Sequence, residues 1–197
     1  LNLDADNWIE PDFLERALDL VAQHAADQKF ALVYPDMQCF GERDEFVERP
    51  AFDAARLKHG NYLDMNALIR TDAARQIGFD PQFNDGQGDY DFFLSLARRG
   101  FVGARLPGGL LHYRVRAGSI SHTCRSARRH VELAEKILAK HADWFSEADA
   151  ALLRRSARGG ACRAMWEEAR MAFGKGSAGT AARLGWRAVR YHARGTT

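Results

Sequence analysis

The sequence is poor in anything that would cross-link it or anchor it. Only three cysteines occur in 197 residues, Cys39, Cys124 and Cys162. Widely spaced and odd in number, they indicate neither a disulfide framework nor a zinc knuckle, and a reducing cytoplasm is the expected compartment. No uncharged run approaches the roughly 20 residues that a membrane-spanning helix needs. No basic start followed by an apolar stretch reads as a signal peptide. The five prolines do not gather into a linker, and no repeat of solenoid period stands out. What is present, 46% apolar and 11% aromatic residues, excludes a disordered chain and suffices for a packed core. A soluble protein is expected.

Charge of one sign is scarce in each half. Residues 1–123 carry 13 Lys and Arg against 19 Asp and Glu, a net of −6. Residues 124–197 carry 15 against 7, a net of +8. The first segment can concentrate carboxylates at a site, while the second suits an acidic partner or is simply a solvated Arg-rich helical face. The tail has no nucleic-acid recognition motif. Its Trp144, Trp166 and Trp186 fall at apolar helical positions and read as core rather than as stacking platforms. Arg183, Arg187, Arg190 and Arg194 recur at helical spacing, so contact with a membrane surface is the partner reading kept for the tail.

The chain opens Leu1-Asn2-Leu3, apolar-polar-apolar, like the end of a strand entering a loop. A start in mid-strand is expected of a piece of a longer protein. A helix is predicted from Glu10-Pro11-Asp12 to about Ala26, with Phe13, Leu14, Ala17, Leu18 and Val21 at helical spacing. Strands are predicted at 30–34 and 62–69, separated by a charged loop at 41–50. Thr71 reads as the N-cap of a short helix that Gly78 ends. A Gly-rich loop at 79–88 leads into an amphipathic helix beginning at Asp89, with Tyr90, Phe93, Leu94 and Ala97 on one face. Short strands at 101–106 and 110–115 flank Pro107-Gly108-Gly109. Helices near 127–143, 147–158, 161–173 and 178–193 follow, parted by Gly159-Gly160 and by the glycines of 174–179. Strands mixed with helices and then a run of helices argue an α/β domain with a helical tail.

Two acidic features could carry chemistry. Asp4-Ala5-Asp6 follows the apolar opening, and on an extended stretch carboxylates at i and i+2 share a side. Such a pair suits a hard divalent cation, Mn²⁺ or Mg²⁺, that shares its shell with substrate phosphates and neutralises a diphosphate leaving group. Yet a D-x-D arises by chance about once in a chain this acidic, and Asp89-Tyr90-Asp91 is another. An Asx-rich turn is the competing reading of the first triplet. Asp89, at the start of its helix, reads either as a cap or first-turn acid or as a general base behind a loop able to close. Asp91 reads as solvated.

In order and spacing, residues 1–123 resemble the inverting glycosyltransferases of family 2, which have the GT-A fold. The resemblance rests on Leu3-Asp4-Ala5-Asp6-Asn7 followed by Pro11, on Val33-Tyr34-Pro35-Asp36 and on Asn61 to Arg70. It continues with Gly78-Phe79-Asp80, with Gly88-Asp89-Tyr90-Asp91 to Ala97, and with Tyr113-Arg114-Val115-Arg116-Ala117-Gly118-Ser119-Ile120-Ser121. It implies a partial GT-A mixed sheet over 1–123, the acceptor-side half of the domain, with 124–197 a basic helical tail. The nucleotide-binding half, which the family places before the D-x-D, is expected upstream of Leu1. By the same resemblance Asp4 and Asp6 engage the metal and the diphosphate of a nucleotide-sugar. Asp89 takes the proton from the hydroxyl of a glycan, lipid-linked or small-molecule acceptor as the sugar transfers with inversion.

Two positions depart from the family pattern. Gly88 stands where a Glu precedes the Asp, and Arg116 stands where some relatives have a metal-binding His. A guanidinium cannot ligate a cation, but it can contact a diphosphate directly; His112 and His122 are the alternative ligands. The competing reading is a non-catalytic remnant or binding module of the same fold. A cytoplasmic enzyme is the leading one, with contact at the inner face of the membrane through its tail a minority reading beside simple packing of the helices.

Overall fold

The computed structural model describes residues 1–84, 86–116 and 127–193. The family-like stretch at 117–121, together with His122, Cys124 and Arg194, lies outside them. The chain is mixed α/β and divides into two units, residues 1–57 with 61–119, and residues 58–60 with 120–197.

The first unit is an open mixed sheet of five strands. In chain order it contains β1 (Trp8–Ile9), α1 (Phe13–Gln23), β2 (Phe30–Gly41), β3 (Glu45–Val47), α2 (Ala54–Lys58), β4 (Leu68–Ile69), α3 (Thr71–Ile77), a 3₁₀ turn (Pro81–Phe83), α4 (Gly88–Arg98) and β5 (Val102–Val115). The strand order is β1-β5-β2-β3, with β4 also on β2. Only β2 and β5 run parallel. Buried parallel strands read as continuous apolar runs, and Phe30-Ala31-Leu32-Val33-Tyr34 is such a run, none of it more than 6% exposed. From α1, Phe13 and Ala17 pack on Phe30, Val33, Leu106 and Leu110. Each large side chain buried this way contributes about 1.5–3 kcal/mol. Leu14, Leu18 and Val21, predicted for the same face, are exposed instead.

β5 is one strand rather than the two predicted, and its irregularity explains the breakers. Leu106 faces Pro35 and Leu111 faces Met37, so residues 107–110 bulge opposite Asp36. Gly108 and Gly109 take positive φ of 111° and 66°, which a side chain would resist. The bulge wraps a buried carboxylate. Asp36 is 0% exposed. It accepts a bidentate pair of hydrogen bonds from Arg105, both at 2.8 Å, and further ones from the Arg49 and Gly108 amides at 2.8 and 3.3 Å. Arg105 also pairs with Glu48 at 2.8 Å. At the other end of the ladder Ala31 is the extra residue, and Gly103 fits because a Cβ there would lie 2.8 Å from the Leu32 carbonyl oxygen.

Several predicted elements are shorter or absent. Leu1–Leu3 is not a strand; one bond from the Asn2 amide to the Ala67 carbonyl, 3.3 Å, is its ladder-like contact. The 62–69 stretch is strand only at β4, because the Asn61 and Asp64 side chains accept from the Leu63 and Asn66 amides and bend the rest into Asx turns. Thr71 begins α3 rather than capping it, Arg70 being the cap residue with no side-chain bond.

The second unit is helical, with α5 (Ala127–Lys140), α6 (Glu147–Gly174) and α7 (Ala178–Ala193). Ser146 and Asp149 form a reciprocal capping box at the start of α6. Asp149 is held further by His59 at 2.9 Å and Lys58 at 3.2 Å. The His59 bond foremost draws its carboxyl well below the usual range. Gly159-Gly160 does not break α6. A Cβ on Gly160 would lie 3.1 Å from the His130 ring, so that glycine gives α5 its close approach. Trp166 and Trp186 are 53% and 64% exposed, not core. Among the described residues no helix is long and apolar enough to cross a membrane.

Replacing Asp36 leaves Arg105 without its buried partner, and breaking such a pair costs about 3–5 kcal/mol. Asp36→Ala is expected to lower the urea-unfolding free energy of the sheet unit by about 3 kcal/mol, and a loss below about 1 kcal/mol would refute the bulge's dependence on it. The pH sign follows from the carboxyl. Burial raises its pKa, but the Arg105, Arg49 and Gly108 bonds hold it below the ordinary value. Its stabilisation is therefore present above about pH 4 and is lost as pH falls through the lowered native value.

Candidate active site

Segment 61–66 of the first unit reaches two of the predicted carboxylates, Asp4 through Asn66 and Asp89 through Asn61. Asp4 opens a turn closed by the Asn7 amide on the Asp4 carbonyl at 3.1 Å, with the Asn7 side chain on Asp4 Oδ2 at 3.3 Å. The D-x-D is thus an Asx-rich turn and not an extended stretch, so the alternation that would align Asp4 with Asp6 does not apply. Asn66, 2% exposed, holds Asp4 from both sides. Its Oδ1 accepts from the Asp4 amide at 2.8 Å, and its Nδ2 donates to Asp4 Oδ2 at 3.1 Å. The same Nδ2 donates to Asp64 Oδ1, which also accepts from the Asn66 amide at 2.9 Å. Asp4 and Asp64 therefore share one amide.

Asp6 is turned elsewhere. Its Oδ2 lies 3.1 Å from Arg116 Nε, so the arginine at the family's histidine position sits directly on the second D-x-D carboxylate. His112 is committed to Glu10, at 2.6 Å, and stacks on Trp8.

Asp89 occupies the first turn of α4, one residue after its start at Gly88. It is not the cap; Gln87 is, with a left-handed φ of 60° and no side-chain capping bond. Left-handed backbone in a residue with a side chain costs of order 1 kcal/mol and is held only when its surroundings impose it. Gln87 Oε1 is buried without a hydrogen-bond partner among the described residues. Beyond Asp89 the helix is buried nearly all round, through Tyr90, Phe92, Phe93, Leu94, Leu96 and Ala97. Asp91, expected to be solvated, is 2% exposed. The Tyr90 hydroxyl donates to the Leu57 carbonyl at 2.8 Å and fixes the first turn.

The Asp89 carboxylate accepts from Asn61 Nδ2 at 2.9 Å and from the Tyr90 amide at 2.8 Å. Its pKa is nevertheless raised, first by burial and then by the nearby Asp64 charge, against those two bonds. A carboxylate whose pKa is raised and which is fixed on a rigid helix has the properties a proton acceptor needs.

Segment 61–66 therefore joins the two predicted halves. Asn66 and Asp64 serve Asp4, while Asn61 holds Asp89 and Asp64 raises its pKa. None of the three was expected at the site. The signal was present as three Asx residues within six positions, which favour turns over a strand. Gln87 was missed as well, and only its position between Gly86 and Gly88 hinted at it.

As metal ligands, Asp4 and Asp6 offer hard oxygen donors at the surface, the chemistry Mg²⁺ or Mn²⁺ takes when substrate phosphates complete the shell. Among the described residues no group of three or more His, Cys, Asp or Glu could hold a metal. Asp6 pairs with Arg116 and Asp4 with the Asn7 and Asn66 side chains, so the two carboxylates answer to different partners.

No protein-family model matches this sequence, and a search of curated proteins finds no match.

Because the native state raises the Asp89 pKa, ionisation of this group opposes folding. The stability it contributes is complete below the unfolded value of about 4 and is lost as pH rises through the native value. Asp89→Asn removes that penalty. Its melting temperature at pH 7 should equal or exceed that of the parent, and the advantage should vanish below about pH 4. A clear drop in melting temperature at pH 7 would mark Asp89 as a structural acid.

Proposed function

We propose that this chain is the acceptor-side half of an inverting, GT-A-type glycosyltransferase similar to family 2, with Asp89 as its general base. The observation that carries the reading is Asp89 itself. It is a partly buried carboxylate of raised pKa, fixed on the first turn of a buried helix and joined through Asn61, Asp64 and Asn66 to the D-x-D turn.

In this reading the acceptor hydroxyl oxygen attacks the anomeric carbon of a nucleotide-sugar. Its proton passes to Asp89 while the bond from that carbon to the diphosphate oxygen breaks. Asn61 fixes which carboxylate oxygen is turned inward, and Asp64 keeps the carboxylate basic enough to accept a proton. Asp4 and Asp6 would hold a divalent cation, whose charge stabilises the departing diphosphate. Arg116, which pairs with Asp6, would in this reading bind a diphosphate oxygen directly. The cytoplasmic location belongs to the same proposal.

A second reading, a non-catalytic binding module of the same fold, is favoured by one observation. Asp6 is already neutralised by Arg116 and Asp4 by the amides of Asn7 and Asn66, so the turn is satisfied without a ligand.

The complete protein, assayed against a panel of nucleotide-sugars for transfer and for nucleoside diphosphate release, separates the two. Asp89→Asn is expected to lower turnover about 10²–10⁴-fold with donor affinity unchanged. Asp6→Ala is expected to weaken donor binding instead. Equal turnover in parent and Asp89→Asn, or no transfer and no donor hydrolysis with any of the panel, would leave the binding module as the reading.

A further inference from the structure

The second unit carries an apolar surface that its own packing does not use. Helices α6 and α7 meet where Gly185 approaches the Trp166 ring and where the Cys162 thiol lies 3.9 Å from the Ala188 carbonyl oxygen. Beside this seam an open groove of about 890 Å³ runs between the helices, floored by Ala169, Ala182 and Gly185. Its walls are Trp166, Phe173, Trp186 and Val189, which are 53%, 68%, 64% and 47% exposed. Gly185 makes the shape possible, because a Cβ there would lie 3.2 Å from the Trp166 ring. Apolar surface of this kind in a soluble domain marks an interaction site.

The charge beside the groove says what it meets. On α7, Arg183, Arg187 and Arg190 fall at i, i+4 and i+7, one row along the helix next to Trp186. Arg183, Trp186, Arg187, Arg190 and Tyr191 line a common recess. On the α6 side Arg170 and Glu167 both line the groove, so the net positive charge comes from the α7 row. From Ala169 to Thr197 the sequence contains six Lys and Arg and no acidic residue. Long apolar and aromatic side chains on one side and arginines along the adjoining stripe are the composition of a helix lying in a bilayer interface. There the rings enter the headgroup layer and the guanidinium groups meet lipid phosphates. A single-stranded nucleic acid would need its stacking rings interleaved with the cations, whereas Trp166, Phe173 and Val189 line the groove apart from the arginine row, and only Trp186 and Tyr191 adjoin it.

We propose that the α6–α7 groove and its arginine row dock this protein on an anionic membrane surface, with Trp166 and Trp186 inserted at headgroup depth. The inference stands on the helical unit alone and does not require the proposed transferase chemistry.

The test uses the full chain and sedimentation with vesicles of phosphatidylcholine, with and without about 30 mol% phosphatidylglycerol. Binding to the anionic vesicles, weak binding to neutral ones, a loss with added salt and a blue shift of tryptophan emission are expected. Arg183→Ala, Arg187→Ala and Arg190→Ala combined should weaken anionic binding roughly a hundredfold, and Trp186→Ala about tenfold. Leu152→Ala, exposed elsewhere on α6, should change nothing. Circular dichroism melts establish that the variants fold, which the exposure of the substituted residues favours. Absence of vesicle binding, or equal binding by the arginine variant, would overturn the proposal. So would a dimer that Trp186→Glu dissociates, or retention of RNA in place of vesicles, each of which assigns the groove to another partner.

Discussion

A buried carboxylate governs the sheet. Asp36 lies in the middle of β2, the strand on which β3, β4 and β5 all pair, and it is charged in a place from which water is excluded. Such a charge must be met in full or the strand cannot stay there. Arg105 reaches it from β5, and the 107–110 bulge brings the Gly108 amide within range. The bulge therefore follows from the charge. It also shifts the register so that Leu111 instead of Gly108 faces Met37, and this sets the pairing of β1 against the far half of β5. The glycines at 108 and 109 are the sequence's accommodation to one aspartate.

The candidate site is organised on the opposite plan. Its carboxylates are joined by amides. Asparagine supplies both a donor and an acceptor without charge, so Asn66 can bind the Asp4 amide and two carboxylates at once. Orientation is thereby fixed while negative charge is retained, which is why Asp64 can still raise the Asp89 pKa. A lysine or arginine at position 66 could reach the two carboxylates but could not accept from the Asp4 amide, and its charge would erase that effect.

Periodicity located most elements and misjudged their ends. The apolar run at 30–34 announced β2, but the strand continues through Asp36, Gln38 and Gly41 because β5 and β3 satisfy its backbone, a tertiary cause no local pattern displays. Gly159-Gly160 looked like a stop, since glycine weakens helices by about 1 kcal/mol. Packing against His130 outweighs that within a 28-residue helix. Asp91 read as solvated because the amphipathic face of α4 was judged from four apolar positions, and the helix is enclosed beyond that face. Trp166 and Trp186 read as core by their spacing alone. Position on a helix states which side a residue faces, not whether anything covers that side. Asp4, Asp6 and Asp89 were legible as acids worth watching; the asparagines that position them were not, because turn residues rarely declare their partners.

The parallel ladder has a kinetic side. β2 and β5 pair residues as far apart in sequence as Phe30 and Val102, and no tight turn can join parallel neighbours. Loop closure on that scale precedes any contact that rewards it, which slows the search. The helices of the second unit are joined by short connections and need only local encounters. During synthesis the sheet must wait until β5 leaves the ribosome, and until then the apolar run of β2 has no parallel partner. The Asp36 carboxylate then has a role before the native state exists. A charge in the middle of an otherwise apolar strand disfavours stacking of identical unpaired chains, and so guards β2 against aggregation while it waits.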